Sequence, residues 1–123
     1  MTDKLLEYLG IRRSLTGYWI IKDIVARVLR DEKALCRIGD LYLEIAQDMG
    51  TSYAAVEKNI RTAVENCWKK KKNELCKVAK CDLTKCPSNT MFFEIVTAYI
   101  MWSEKRKSAH NDLEKGRNSN AEQ

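Results

Sequence analysis

The chain of 123 residues holds one proline, five glycines and one histidine, and no apolar run near the ~18 residues of a membrane span. So few turn-formers cannot supply the closely spaced turns of a β-sandwich or barrel. The histidine, His110, lies in a polar C-terminal stretch, a poor place for a general base. Glycine-rich phosphate loops, nucleophile elbows and paired-carboxylate motifs are missing, so the chain is not expected to be an enzyme. No cofactor and no small-molecule substrate are expected either. Met1–Gly10 carries Asp3, Lys4 and Glu7 where a secretory signal needs an apolar core. Five cysteines are an odd number, read as reduced thiols of a cytoplasmic protein. Cys76, Cys81 and Cys86 recur every five residues, which is wrong for the close pairs of a zinc site. On one continuous helix Cys76 and Cys81 would face different sides. No metal is expected, and the cysteines are read as ordinary thiols.

What the chain does have is 45% hydrophobic and 32% charged residues. That is too apolar for disorder throughout and too charged for a membrane protein. The apolar residues recur at helical spacing, so the fold class is all-α. The expected helices run over 2–9, 17–29, 40–49, 52–70, 73–80 and 90–105. Ile38-Gly39 reads as a break, and 81–89, with Pro87, as irregular. In 17–29 the stripe is Tyr18, Ile21, Val25, Val28 and Leu29, with Ile24 beside it. In 40–49 the buried side is Leu41, Leu43, Ile45, Ala46 and Met49. Trp19, Trp68 and Trp102 sit in apolar stripes and are expected in the core rather than on a base-stacking platform. One domain is expected over 1–105, followed by a polar, disordered tail over 106–123.

The net charge is +5, unevenly placed. Residues 1–50 are balanced, and 51–72 set Glu57 and Glu65 against Lys58, Arg61 and the run Lys69 to Lys72. A basic stretch in a balanced chain points to a polyanion, unless it is only a solvated helix end complementing the helix dipole. The same region, about 40–70, has the outline of a helix-turn-helix: helix, the turn Gly50-Thr51-Ser52, longer helix. Ala46 is small where the helices would cross, and Gly50 sits where the first must end in a left-handed residue. Ile45, Met49 and Val56 supply shared core. The next core position falls on Asn59, which does not fit, but Ile60 beside it can serve.

The second helix has two unlike faces. Val56, Ile60, Ala63, Val64 and Cys67 form an inward stripe. Glu57, Lys58, Arg61 and Thr62 form an outward patch in the N-terminal half, the half that a helix-turn-helix inserts into the major groove. Arg61 suits guanine O6 and N7, Glu57 cytosine N4, Lys58 guanine or phosphate, and Thr62 a thymine methyl. Ser52 and Tyr53, at the helix start, are placed for phosphate, as are Lys69 and Lys70 at its end.

With these residues set out, the chain resembles the C-terminal DNA-binding effector domain of the sporulation-initiating response regulator of endospore-forming bacteria. The resemblance covers about Leu9 to Ser103. It rests on Leu9-Gly10-Ile11, Gly17-Tyr18, Ile45-Ala46, the run from Val56 to Ala63 on to Trp68, and Pro87-Ser88-Asn89-Thr90 leading to Phe92. It implies a compact six-helix domain whose helix-turn-helix reads a short DNA box as a homodimer or tandem dimer. By position, Glu57, Lys58 and Arg61 match the family's recognition-helix residues. Thr62 stands where the family has a histidine, and Tyr53-Ala54-Ala55 is less polar than its helix start, so a drifted DNA preference is expected. The family carries a phosphorylatable receiver before this domain. Met1 precedes it almost directly here, so a fragment or stand-alone relative is expected, unable to respond to phosphate.

The resulting expectation is a sequence-specific, DNA-binding transcriptional regulator of the bacterial cytoplasm, partnered by double-stranded DNA and no membrane. The alternative is a protein-interaction module that modulates another regulator, pairing through the final helix around Phe92 to Trp102.

Overall fold

Apolar side chains three and four residues apart drive the described residues into six α-helices and one 3₁₀ turn. They are α1 (Thr2–Tyr8), α2 (Thr16–Arg30), the 3₁₀ turn (Glu32–Arg37), α3 (Ile38–Met49), α4 (Tyr53–Lys70), α5 (Lys72–Ala79) and α6 (Asn89–Ala121). The computed structural model describes the backbone of residues 1–121 and the side chains of residues 1–108. Helix α6 runs past the end expected at 105 to Ala121, through most of the stretch expected as a tail, of which residues 122 and 123 lie outside the described residues. The described residues contain no strand, and the all-α reading holds.

The core is organised by α2, which packs most extensively against α4. Ile21, Ile24 and Val25 of α2 and Val56 and Ile60 of α4 are fully excluded from solvent. Each such side chain contributes about 1.5–3 kcal/mol relative to an exposed one. Two features let the helices come this close. Gly17 has no side chain, and a Cβ there would run into the Asn59 carbonyl oxygen and come within 3.2 Å of the Ala63 Cβ. Ala63, also small, is itself buried. Thus Asn59, which fails as a core side chain, presents its backbone to Gly17, and Ile60 fills the core. Phe92, Phe93, Val96 and Ile100 of α6 close the cluster from another side. Ser88 starts α6: its Oγ accepts from the Met91 amide at 3.1 Å, a side-chain cap.

Several expectations change. Ile38 and Gly39 begin α3 rather than breaking the chain, and a 3₁₀ turn precedes them. Gly39 is small where a Cβ would meet the Tyr53 hydroxyl at 3.6 Å. Leu43 and Met49 are exposed at 49% and 48%. Leu43 lies off the Leu41–Tyr42–Ile45–Ala46 stripe, and Met49 ends the helix. Trp19 and Trp102 are exposed too. The Trp19 indole donates to the Arg13 carbonyl at 2.9 Å, and the Lys80 ammonium lies 3.2 Å from the Trp102 ring centroid. Both rings thus sit at the surface with polar partners. Trp68 alone of the three packs partly against the core.

Cys76 and Cys81 do not share one continuous helix. Helix α5 stops at Ala79 because Lys80 adopts φ +60. The Cys81 amide then donates back to the Cys76 carbonyl, and the Lys80 amide to the Lys77 carbonyl, each at 3.3 Å. This closure reverses the chain and returns Cys81 to Cys76, instead of sending it to another side of one helix.

Candidate nucleic-acid interface

The turn between α3 and α4 is set by two local devices. Gly50 takes φ +65, and the Thr51 amide donates to the Ala46 carbonyl at 2.9 Å, ending α3 in a left-handed closure. Ser52 is extended and its Oγ accepts from the Ala55 amide at 3.1 Å, so α4 starts one residue later. Ile45 and Ala46 are buried under this turn. The helix-turn-helix therefore stands over 38–70.

Residues expected to read bases divide between two faces. Lys58 and Thr62 are exposed on the open side of α4. Glu57 and Arg61 lie on a flank, where the Arg61 guanidinium donates to the Glu57 carboxylate one turn earlier. With Tyr53 they line a cleft whose far wall is Cys86, Pro87 and Asn89. Arg61 remains 57% exposed and Glu57 35%, so the pair is reachable from solvent.

The phosphate candidates occupy two ends. Ser52 is exposed, with its oxygen engaged by the cap, and its hydroxyl proton is the group it can offer. Tyr53 leans its ring on buried Tyr42, centroids 5.6 Å apart, and keeps 41% of its surface exposed. Burial pushes the Tyr42 phenol above its ordinary value. Lys69 and Lys70 are exposed at the other end of α4, and a rise of 1.5 Å per residue puts Lys70 roughly 25 Å from Tyr53. Lys70 lines a second cleft with Lys71, Arg12 and Arg13.

Sequence reasoning did not single out Asn89 or the Arg12–Arg13 pair for the site. The Asn89 Nδ2 donates to the Glu57 carbonyl at 3.3 Å, so the start of α6 is tied to the N-terminal half of α4. Its signal was the cap sequence Ser88-Asn89-Thr90 ahead of an apolar run. Arg12 and Arg13 lie in a connector, and no spacing rule relates them to Lys70.

Among the described residues, no group of three or more metal-ligating side chains occurs, and no helix is long and apolar enough to cross a membrane. No curated protein matches the chain. The model of the family described as "Sporulation initiation factor Spo0A C terminal" matches residues 2–100, spanning all of α1 to α5 and α6 as far as Ile100. That family is one of helical DNA-binding regulatory domains, not of enzymes. By this match the chain belongs to the family of the C-terminal, DNA-binding effector domain of the sporulation initiation factor Spo0A.

Proposed function

We propose that this effector domain is a sequence-specific transcriptional regulator that inserts the N-terminal half of α4 into the major groove of DNA. One observation carries the reading: a long helix with an apolar back holds Lys58, Arg61 and Thr62 in solvent beside a capped turn. Arg61, Glu57, Lys58 and Thr62 act on base edges. Ser52, Tyr53, Lys69 and Lys70 act on phosphate.

The Glu57–Arg61 pair supports this role by magnitude. An exposed ion pair is worth about 0–1 kcal/mol, whereas a good bidentate arginine–guanine contact discriminates by about 1–3 kcal/mol. Arg61 can therefore leave or share Glu57 at small cost. Glu57 meanwhile restricts the arginine to a few conformations before DNA arrives, and its own free oxygen can accept from cytosine N4. The protein works on the bacterial nucleoid, as a homodimer or tandem dimer on its site.

The test is selection of bound sequences from a random duplex pool, followed by anisotropy titration of a selected and a scrambled duplex at several salt concentrations. The reading requires an enriched motif and a tighter Kd for the selected duplex. Equal binding to both removes base reading.

A second reading has one observation in its favour. Helix α6 exposes Met91 and Trp102, and the Tyr99 ring lies tilted beside Trp102 with centroids 5.9 Å apart. Such a surface suits a protein-interaction module that modulates another regulator. No salt-dependent binding to any duplex would favour this reading over the first.

A further inference from the structure

The end of α5 brings the backbones of two cysteines, Cys76 and Cys81, together. The backbone closure joins the Cys81 amide to the Cys76 carbonyl at 3.3 Å, with Lys80 in the left-handed region between them. Closures of this kind are frequently accompanied by a contact between the side chains of the first and sixth residues. Peptide geometry then brings the two α-carbons to roughly the 4.4–6.8 Å that a disulfide spans. A second contact fixes the direction of the inner sulfur: the Leu83 amide donates to the Cys76 Sγ at 3.4 Å, so this sulfur faces the 81–83 loop. Cys76 is half-buried and Cys81 exposed, and both line one cleft. Lys72, Lys77 and Lys80 line the same cleft.

The other thiols are placed differently. Burial pushes the Cys67 thiol up to about 12 and raises the Cys86 thiol above its ordinary value, which lowers the thiolate fraction of both. Cys36 is exposed on the 3₁₀ turn, a separate part of the chain.

We propose that Cys76 and Cys81 form a reactive dithiol that closes into an intrachain disulfide by exchange with an anionic, low-molecular-weight disulfide. The cleft is lined by these three lysines against one acid, Asp82, and the net positive charge attracts the anionic reagent. The exposed Cys81 thiolate attacks one sulfur of the reagent; that S–S bond breaks and one small thiolate leaves. The Cys76 thiolate then attacks the Cys81 sulfur of the mixed disulfide and expels the second small thiolate. In sum, the two protein thiols lose two protons and two electrons, and the reagent is reduced to two thiols. The second step is intramolecular, so the mixed disulfide does not accumulate. The product pins the start of the 80–88 loop, whose far end holds Asn89 against α4. The dithiol does not depend on how α4 reads DNA.

The experiment treats the full chain with oxidised glutathione and maps its cysteines by mass spectrometry of non-reduced digests. The result expected is a Cys76–Cys81 linked peptide that forms before Cys36 is glutathionylated. Cys76→Ser should halt at glutathione on Cys81, and Cys81→Ser should leave Cys76 unmodified over the same time. Phenylarsine oxide, which bridges two neighbouring thiols, should protect both cysteines of the unsubstituted protein from alkylation, so the proposal is tested even if the variants fold poorly. Persistent glutathione on Cys81 of the unsubstituted chain, a Cys81-linked dimer, or reaction at Cys36 with Cys76 and Cys81 untouched overturns it.

Discussion

The carbonyl oxygen of Asn59 lies where a Cβ on Gly17 would have to go. This approach fastens α4, with the half proposed to face DNA bases, to the central helix of the core. Gly→Ala in a helix ordinarily gains up to about 1 kcal/mol from backbone propensity. Here overpacking against backbone, which cannot rotate away, costs more. Gly17→Ala should lower unfolding stability by about 1–3 kcal/mol in urea titration. A neutral or stabilising result would show that α2 and α4 are further apart than described.

A second prediction concerns pH. The Tyr18 hydroxyl donates to the Asp3 carboxylate at 2.6 Å, and Lys22 lies 2.9 Å from the same oxygen. The Tyr18 hydrogen bond first, then Lys22, holds Asp3 below the ordinary 3.8. The same hydrogen bond, with burial, raises Tyr18 above 10.0. The unfolded chain binds more protons at Asp3 in acid, so its contribution is present above pH 3.8 and fades as pH falls through the lower folded value. For Tyr18 the sign reverses: its contribution is present below pH 10.0 and fades as pH rises through the higher folded value. Urea midpoints measured across pH should therefore fall at both ends. Tyr18→Phe should flatten both arms, and unchanged arms in that variant would remove the assignment.

How far these features were legible depends on the range of the interaction. The faces of α2 and α4 follow from Tyr18, Ile21, Val25, Ile60 and Val64, because helical period is a local property. Gly50 and Ser52 announced the turn for the same reason. Trp19 did not announce its exposure. It adjoins the buried stripe, and only the Arg13 carbonyl from a neighbouring connector shows where the indole N–H is satisfied. The end of α5 near Lys80 was legible but its form was not: one left-handed residue makes the closure, and lysine gives no hint of that conformation where glycine would. The site was half legible. Lys58 and Thr62 follow from the wheel alone, whereas the cleft beside Glu57 and Arg61 is made by residues some 30 positions away.

Arg61 carries the third prediction. Its guanidinium is exposed and its partner is one turn away, so Arg61→Ala should change folding stability by less than about 1 kcal/mol. Affinity for a selected duplex should fall by about 1–3 kcal/mol, with discrimination lost at a single base pair. Arg61→Lys should restore only part, since an ammonium cannot make the two-pronged contact. Anisotropy titration against a panel of single-base variants reads both effects. Equal losses on matched and scrambled duplexes would reassign Arg61 to phosphate.

Lys70 gives the most demanding test, because geometry restricts how it can touch DNA at all. It stands roughly 25 Å along α4 from Tyr53, more than the width of a major groove of ~12 Å. If α4 entered end-on, Lys70 would be held away from the duplex. If α4 lies along the groove, Tyr53 and Lys70 can meet phosphates at separate points, and the cations beside Lys70 fall on the same side: Arg12, Arg13 and Lys71 line its cleft. Phosphate contact at Lys70 thus requires the second orientation. Lys70→Ala should then weaken selected and scrambled duplexes equally and make the slope of log K against log salt shallower by about 0.9. Arg12→Ala should add a similar decrement. An unchanged slope in both variants would mean the helix enters tip first, and would confine the DNA surface to the Ser52–Thr62 half of α4.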